Sequence, residues 1–389
     1  MNTYQPKTAI RISQVKTIIS DFSNQQPFSL YLKSYFKEHK QLGSKDRRQA
    51  QEWCIAWWRL GAWITHLSFE TRLAVAVSLS NDDSANAKDL CQQQGIEIKS
   101  ENQLKYLEAK FERSYQEAFS VLINHLSNAL NPQSFAYSHL SQPSVYVRIL
   151  NNKSGVIGEL ELQNIDFEII TEQTLRIIGK AQLTDLKSFT NGSFIIQDLN
   201  SQKTGEYMPI GAEGLWWDCC AGAGGKSILF LQQNPNAQIF ATDNRNSILK
   251  NYHERLEQCG FDQHAFMKLD VSQPIKKGLP QFNGVIADVP CSGSGTWRRS
   301  PEHLSFFNPA QIAHFQELQR DIVTNTIPFL KENGSLIYIT CSVFKEENEE
   351  QLAYFESELG LKCESFAVLN GAESLSDTLF CAVLKKEKA

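Results

Sequence analysis

A chain of 389 residues with 42% hydrophobic content is long enough for two or three domains, each with its own core. Its net charge of −5 gives no general attraction to nucleic acid, so such a partner has to meet a local basic patch. Nine cysteines without a Cys-x-x-Cys pair, and no leader pattern at Met1-Asn2-Thr3-Tyr4-Gln5-Pro6-Lys7, point to reduced thiols in the cytoplasm and no metal site; no apolar run approaches the roughly eighteen residues of a membrane span.

Residues 1–60 carry ten lysines and arginines, among them Lys7, Arg11, Arg47 and Arg48, against four acids, a clustering that leans toward phosphate. Gly43-Ser44 starts a helix on which Trp53, Trp57, Leu60 and Ile64 recur at helical spacing, so the tryptophans read as core. The polar stretch 80–103 reads as a loop. Behind it, Leu107, Phe111, Tyr115, Phe119, Leu122 and Leu126 form one stripe and predict a helix over 104–130.

After Pro132 the texture changes to short alternating runs at 145–150, 167–170 and 193–197, a small α+β segment. From Leu215 onward strand-like and helical runs alternate, the pattern of a parallel sheet with helices on both faces. The candidate strands end near Asp218, Asp243, Asp270, Asp288 and Cys341. The division is therefore a helical region over 1–131, a small α+β region over 132–205 and an α/β domain over 206–389.

Leu215-Trp216-Trp217-Asp218 runs into Cys219-Cys220-Ala221-Gly222-Ala223-Gly224-Gly225-Lys226-Ser227, a strand followed by a glycine turn and a helix start. Glycines let the backbone approach a ligand closely. A nucleotide phosphate loop needs a glycine where Cys220 stands, and the dinucleotide fingerprint lacks its third glycine in register. What remains is a turn for an adenosyl group without a phosphate chain. Asp243, ending the second strand, is placed to accept ribose hydroxyls, and Asp270 ends the third near the adenine.

Two further loops each close a short apolar run: Asp288-Val289-Pro290-Cys291-Ser292 and Thr340-Cys341-Ser342. Most free cysteines are small buried hydrophobes, which suffices for Cys54, Cys91, Cys259, Cys363 and Cys381. Strand carboxyl ends, however, are where open α/β sheets bind ligands. Two thiols on neighbouring strand ends suit the making and breaking of a covalent adduct.

The ordered set comprises Asp218 to Lys226, Asp243, Asp270, Asp288 to Gly293, Arg298-Arg299-Ser300-Pro301-Glu302, and Thr340-Cys341-Ser342 with Glu347-Asn348-Glu349. It resembles the S-adenosylmethionine-dependent RNA cytosine-C5 methyltransferases, bacterial RsmB-type (Sun family). The resemblance is strong over about residues 190–385, with Gln197-Asp198 and Ser201-Gln202 ahead of the glycine turn. It is looser at Gly43 to Arg48, which is similar to the NusB-like helical region of these proteins, and at Val147-Arg148, similar to the start of their small RNA-contacting subdomain. The chain departs from the usual pattern at Ala223, Lys345 and Ile149-Leu150-Asn151.

The resemblance implies a Rossmann-like methyltransferase domain, with S-adenosyl-L-methionine as cofactor held by Cys220, Ala221, Gly222, Ala223, Gly224, Gly225, Lys226, Asp243, Asp270 and Asp288. It implies that Cys341 adds to carbon 6 of the cytosine, that Asp288 hydrogen-bonds or protonates ring nitrogen 3, and that Cys291 serves the release step. Lys226 is expected near the cofactor or the thiolate. Arg298 and Arg299 are expected beside the active-site mouth, and with Arg47, Arg48 and Arg148 they are the expected RNA contacts. The partner is RNA presenting a single-stranded, loop or flipped-out cytosine, ribosomal RNA before transfer RNA, and the enzyme a monomer. The alternatives are a DNA cytosine-C5 methyltransferase, against which Thr340-Cys341-Ser342 argues, and a non-catalytic RNA-binding ribosome assembly factor on the same fold.

Overall fold

The computed structural model describes residues 7–80, 82–99, 101–261, 264–276 and 278–388; residues 1–6, which carry the leader-free reading of the amino terminus, lie outside them. The chain divides into two compact units. One comprises Met1–Asn124, Asn131–Gln142 and Trp297–Pro309, the other His125–Leu130, Pro143–Thr296 and Ala310–Ala389. Among the described residues no helix is long and apolar enough to cross a membrane.

The first unit is helical. Helix Ser44–Arg59 forms as the spacing predicts. Trp53 is fully buried with its indole N–H donated to Asp82 at 2.7 Å, and Trp58 meets Phe28 edge-on at 4.4 Å, so these rings are core. Arg11, from the basic cluster, is buried in an ion pair with Asp46 rather than offered to solvent. The stretch 80–103 is not all loop, because Ser84 caps a helix over Ala85–Gln93 whose Ala87, Leu90 and Cys91 turn inward. The single helix expected over 104–130 is broken. Helix Gln103–Phe111 stops at Glu112, which takes a left-handed φ of 52°, and a capping box at Ser114 restarts the chain as a short turn over Tyr115–Phe119. The apolar stripe survives the break, since Leu107, Tyr115, Phe119 and Leu122 are all buried.

The second unit holds two sheets. In the smaller, β1 (Val145–Ile149), β2 (Phe167–Ile169), β3 (Thr174–Ile177) and β4 (Phe194–Ile196) lie in the order β2-β3-β1-β4, all antiparallel. Val147, Ile149, Leu175 and Phe194 close its core with Val156 and Leu160 of helix Lys153–Leu162.

The larger sheet comprises β5 (Gly214–Asp218), β6 (Ala237–Asp243), β7 (Ala265–Lys268), β8 (Phe282–Asp288), β9 (Leu330–Thr340), β10 (Leu361–Leu369) and β11 (Leu379–Lys386). Their order is β10-β11-β9-β8-β5-β6-β7; β5 to β9 run parallel, and β11 and β10 pair antiparallel at one end. Because side chains alternate along a strand, the neighbours Trp216 and Trp217 enter cores on opposite faces, the first with Phe230 and Ile286, the second with Phe282 and Val285. Gly284 of β8 is dictated by this packing: a Cβ there would lie 2.2 Å from the Trp216 ring. Strand order reverses between β5 and β8, and in an open α/β sheet that reversal opens a crevice at the strands' carboxyl ends.

Candidate active site

The crevice is a cavity of about 750 Å³ lined by Cys220, Ala221, Gly222, Ala223, Gly225 and Lys226 from the turn after β5. Asp243 after β6, Asp270, Asp288 and Cys291 after β8, and Cys341 after β9 complete the same wall. The structure thus brings together every residue expected at the cofactor and catalytic centres except Gly224, which shapes the turn from behind. Gly224 has φ +83°, and a Cβ on it would meet Leu256 at 2.7 Å, so only glycine enters helix Gly225–Gln233 here.

Asp243 accepts the backbone N–H of Gly222 at 3.1 Å, which ties the second strand end to the glycine turn. It also accepts the fork of Arg245, Nε at 3.0 Å and Nη2 at 3.1 Å, and with the Arg245 backbone N–H these bonds hold its carboxyl below its ordinary range despite burial. β7 ends at Lys268, and Asp270 follows in a turn where its Oδ1 accepts the Ser272 N–H at 3.1 Å and hydroxyl at 2.7 Å. Lys226 is buried, donates to the Ser201 hydroxyl at 2.7 Å and faces Asp288 Oδ2 at 3.3 Å. The lysine expected near the cofactor or the thiolate is therefore paired with the carboxylate expected at the pyrimidine ring.

Asp218 ends β5 fully buried beneath the turn, with Oδ2 accepting the Ser227 hydroxyl at 2.6 Å. Burial pushes its carboxyl up to about 7, against the pull of that hydroxyl; the Asp288 charge adds to the shift and Lys226 opposes it. In the unfolded chain the group titrates near 3.8, so between those values the folded state holds a proton the unfolded state has lost. Stability therefore falls as pH rises through this window and levels off above it. Asp218→Asn, neutral at every pH, is expected to remove that fall. From pH 5 to 7 the parent should lose about 2–3 kcal/mol relative to the variant, read as the difference between their denaturation midpoints.

Cys291 and Cys341 are partly exposed, and their sulfur atoms lie 3.3 Å apart. The hydrogen bond to Cys341 and burial both push the Cys291 thiol well above its ordinary range. Around them Ser292, Ser294 and Ser342 exchange hydroxyl contacts at 3.0–3.2 Å, and the buried Glu347 accepts from Ser292 and Ser342. Gln319 of helix Gln311–Thr326 donates to Glu347 at 3.0 Å. Neither the role of Gln319 nor that of Arg245 is read from sequence, although Arg245 stands two residues past an expected ligand acid. Among the described residues no group of three or more potential ligands is placed to hold a metal ion.

The five arginines expected at RNA are placed unequally. Arg48 is exposed; Arg47 and Arg299 are partly so, with Arg47 Nε bound to the Leu42 carbonyl at 2.8 Å. Arg148 is 2% exposed, gives Nη1 to Gln232 at 2.6 Å and is lowered to about 9 by burial. Arg298 is 4% exposed and gives Nη2 to the Ser141 hydroxyl at 3.0 Å. For these two the expected phosphate contact does not hold, because both guanidinium groups are buried away from solvent.

Residues 208–368 match the family described as 16S rRNA methyltransferase RsmB/F. The chain is 29% identical over 273 residues to the ribosomal RNA small subunit methyltransferase B of Photorhabdus laumondii, covering 69% of this chain and 60% of that protein. It is 29% identical over 245 residues to the protein of the same name from Pasteurella multocida, covering 60% and 55%. The chain thus spans under two thirds of the length of these relatives. Among solved structures, PH0851 superposes with a TM-score of 0.70 at 20% identity over 100% of both chains. NSun6 from Pyrococcus horikoshii superposes at 0.60 and 16%, over 70% of this chain and 98% of that one. The matched segment, residues 208–368, holds the glycine turn and both cysteine loops.

Proposed function

We propose that this protein transfers a methyl group from S-adenosylmethionine to carbon 5 of a cytosine in RNA, by way of a transient bond between Cys341 and carbon 6 of the ring. The observation that carries the reading is the contact of two thiols, 3.3 Å apart, on the wall of the cavity that the glycine turn and the carboxylates Asp243, Asp270 and Asp288 also line.

The residues fit the cofactor. The cavity is of the size that encloses a small ligand, and the left-handed Gly222 bares the backbone on one side of it. Asp243 would take the ribose and Asp270 the adenine edge. Since Arg245 now fills the outer lone pairs of Asp243, a ribose there displaces that side chain, which is 60% exposed and has solvent to turn into. When bound, the cofactor supplies an electrophilic methyl on a sulfonium.

Carbon 5 of cytosine is a poor nucleophile until a thiolate adds at carbon 6. Cys341, whose sulfur lies 3.3 Å from that of Cys291, makes that attack. Asp288 gives a proton to ring nitrogen 3, where the displaced electron pair is drawn, and the carboxylate that results faces the Lys226 ammonium. After methylation a water molecule takes the carbon-5 proton, the electron pair of that bond re-forms the ring double bond, and the bond to Cys341 breaks to leave its sulfur as a thiolate. Cys291, in contact with that sulfur, serves this release. A base inside a duplex cannot enter such a cavity, so the target is unpaired or flipped out. The similarity to ribosomal RNA small subunit methyltransferases supports small-subunit ribosomal RNA as the substrate.

The test is incubation with methyl-labelled S-adenosylmethionine and either RNA or DNA, followed by base analysis. Label in 5-methylcytosine of RNA supports the reading. Label in DNA only favours a DNA methyltransferase, and no cofactor binding by calorimetry favours an assembly factor.

A further inference from the structure

Glu347 is fully buried, and among the described residues its side chain accepts hydrogen bonds from neutral groups alone. Oε2 accepts the backbone N–H of Ser292 at 2.8 Å and the Gln319 side-chain amide at 3.0 Å; Oε1 accepts the Ser342 hydroxyl at 2.7 Å. Ser292 is the residue after Cys291, and Ser342 the residue after Cys341. One carboxylate therefore closes two loops that leave different strands, β8 and β9. The residues beside it brace the same junction. The Tyr338 hydroxyl donates to the Glu347 carbonyl at 2.8 Å, while Asn348 accepts from Thr340 at 2.6 Å and donates to the Ser342 carbonyl at 2.9 Å.

Burying a carboxylate without a cation costs several kcal/mol, only partly offset by three neutral donors, and an apolar side chain of the same volume would fill the space at less cost. A negative charge at this point therefore has to be explained by what it holds. We propose that Glu347 is the positioning residue of the thiol pair, clasping Ser292 and Ser342 so that the sulfur atoms of Cys291 and Cys341 meet. Its charge beside Cys291 also disfavours a second thiolate there, which leaves the attack to Cys341 and the release to Cys291. The catalytic consequence rests on the methyl-transfer reading above; the clasp itself does not.

Glutamine at 347 keeps the shape but turns an NH₂ group toward donors, and aspartate keeps the charge but withdraws its oxygens from the loops. In the full chain, alkylation of each cysteine by iodoacetamide across a pH series is followed by peptide mass mapping. At pH 8, Glu347→Gln is expected to raise the Cys291 rate about tenfold, and Glu347→Asp about threefold, while each lowers kcat for RNA methylation about tenfold or more with KM within about twofold. If either variant melts like the parent and keeps the parent's Cys291 rate within about twofold, or keeps its kcat, the clasp is overturned. A parent chain that methylates no RNA while Cys291 still responds to these substitutions would sink the methyl-transfer reading and leave the clasp standing.

Discussion

Cys341→Ala is expected to abolish methylation of RNA, with a loss on the order of 10⁴-fold or more, while S-adenosylmethionine still binds with the parent's affinity. The size follows from chemistry, because without addition at carbon 6 the ring has no electron-rich carbon 5 to take the methyl, and Cys291, the thiol left nearby, is held away from the thiolate form by burial and the Glu347 charge. Retained binding follows from geometry. The glycine turn, Asp243 and Asp288 are held by their own contacts, Gly222 N–H on Asp243 and Lys226 on Asp288, neither of which passes through Cys341. Cys341 is partly exposed and packs only at the edge of a core, so the variant should melt close to the parent. Calorimetry with the cofactor and a methyl-transfer assay with RNA separate the two effects; turnover within about tenfold of the parent would remove Cys341 from the chemistry.

Cys291→Ala is expected to do the opposite to the intermediate. Addition and methyl transfer need Cys341 alone, but the carbon-5 proton and the carbon–sulfur bond then have to leave without the thiol that lies 3.3 Å away. The protein should accumulate as a covalent complex with its RNA, visible as a slow band on a denaturing gel, with multiple turnover falling by on the order of 10²-fold or more. The double variant Cys291→Ala, Cys341→Ala should give no band. A Cys291→Ala protein that turns over normally and shows no band would assign release to another group.

The strand ends were legible because buried parallel strands need apolar side chains on both faces, which makes a polar residue at the carboxyl end conspicuous. Asp218, Asp243, Asp288 and Cys341 all stand at or one residue past the ends of their strands. β3 escaped because four residues, Thr174-Leu175-Arg176-Ile177, carry too little alternation to stand out from a turn. Helix Ala85–Gln93 escaped because its outer face is polar and only three residues turn inward, so composition spoke for a loop. The break at Glu112 left the spacing of the apolar stripe intact, and periodicity alone did not register it. Arg148 and Arg298 read as phosphate contacts because a guanidinium normally seeks solvent, and only the fold reveals that both are enclosed. The clasp at Glu347 was invisible for a related reason: Ser292, Gln319 and Ser342 converge on it from three elements, a meeting that no local pattern encodes.

The most direct measurement is the attachment point of the trapped complex. Cys291→Ala protein is incubated with RNA and S-adenosylmethionine, digested with nuclease and protease, and its peptides are read by mass spectrometry. The account predicts a methylated cytidine nucleotide on the peptide that holds Thr340-Cys341-Ser342, bonded through the sulfur. The nucleotide on any other residue, or RNA methylated with no protein-bound nucleotide at all, would contradict it.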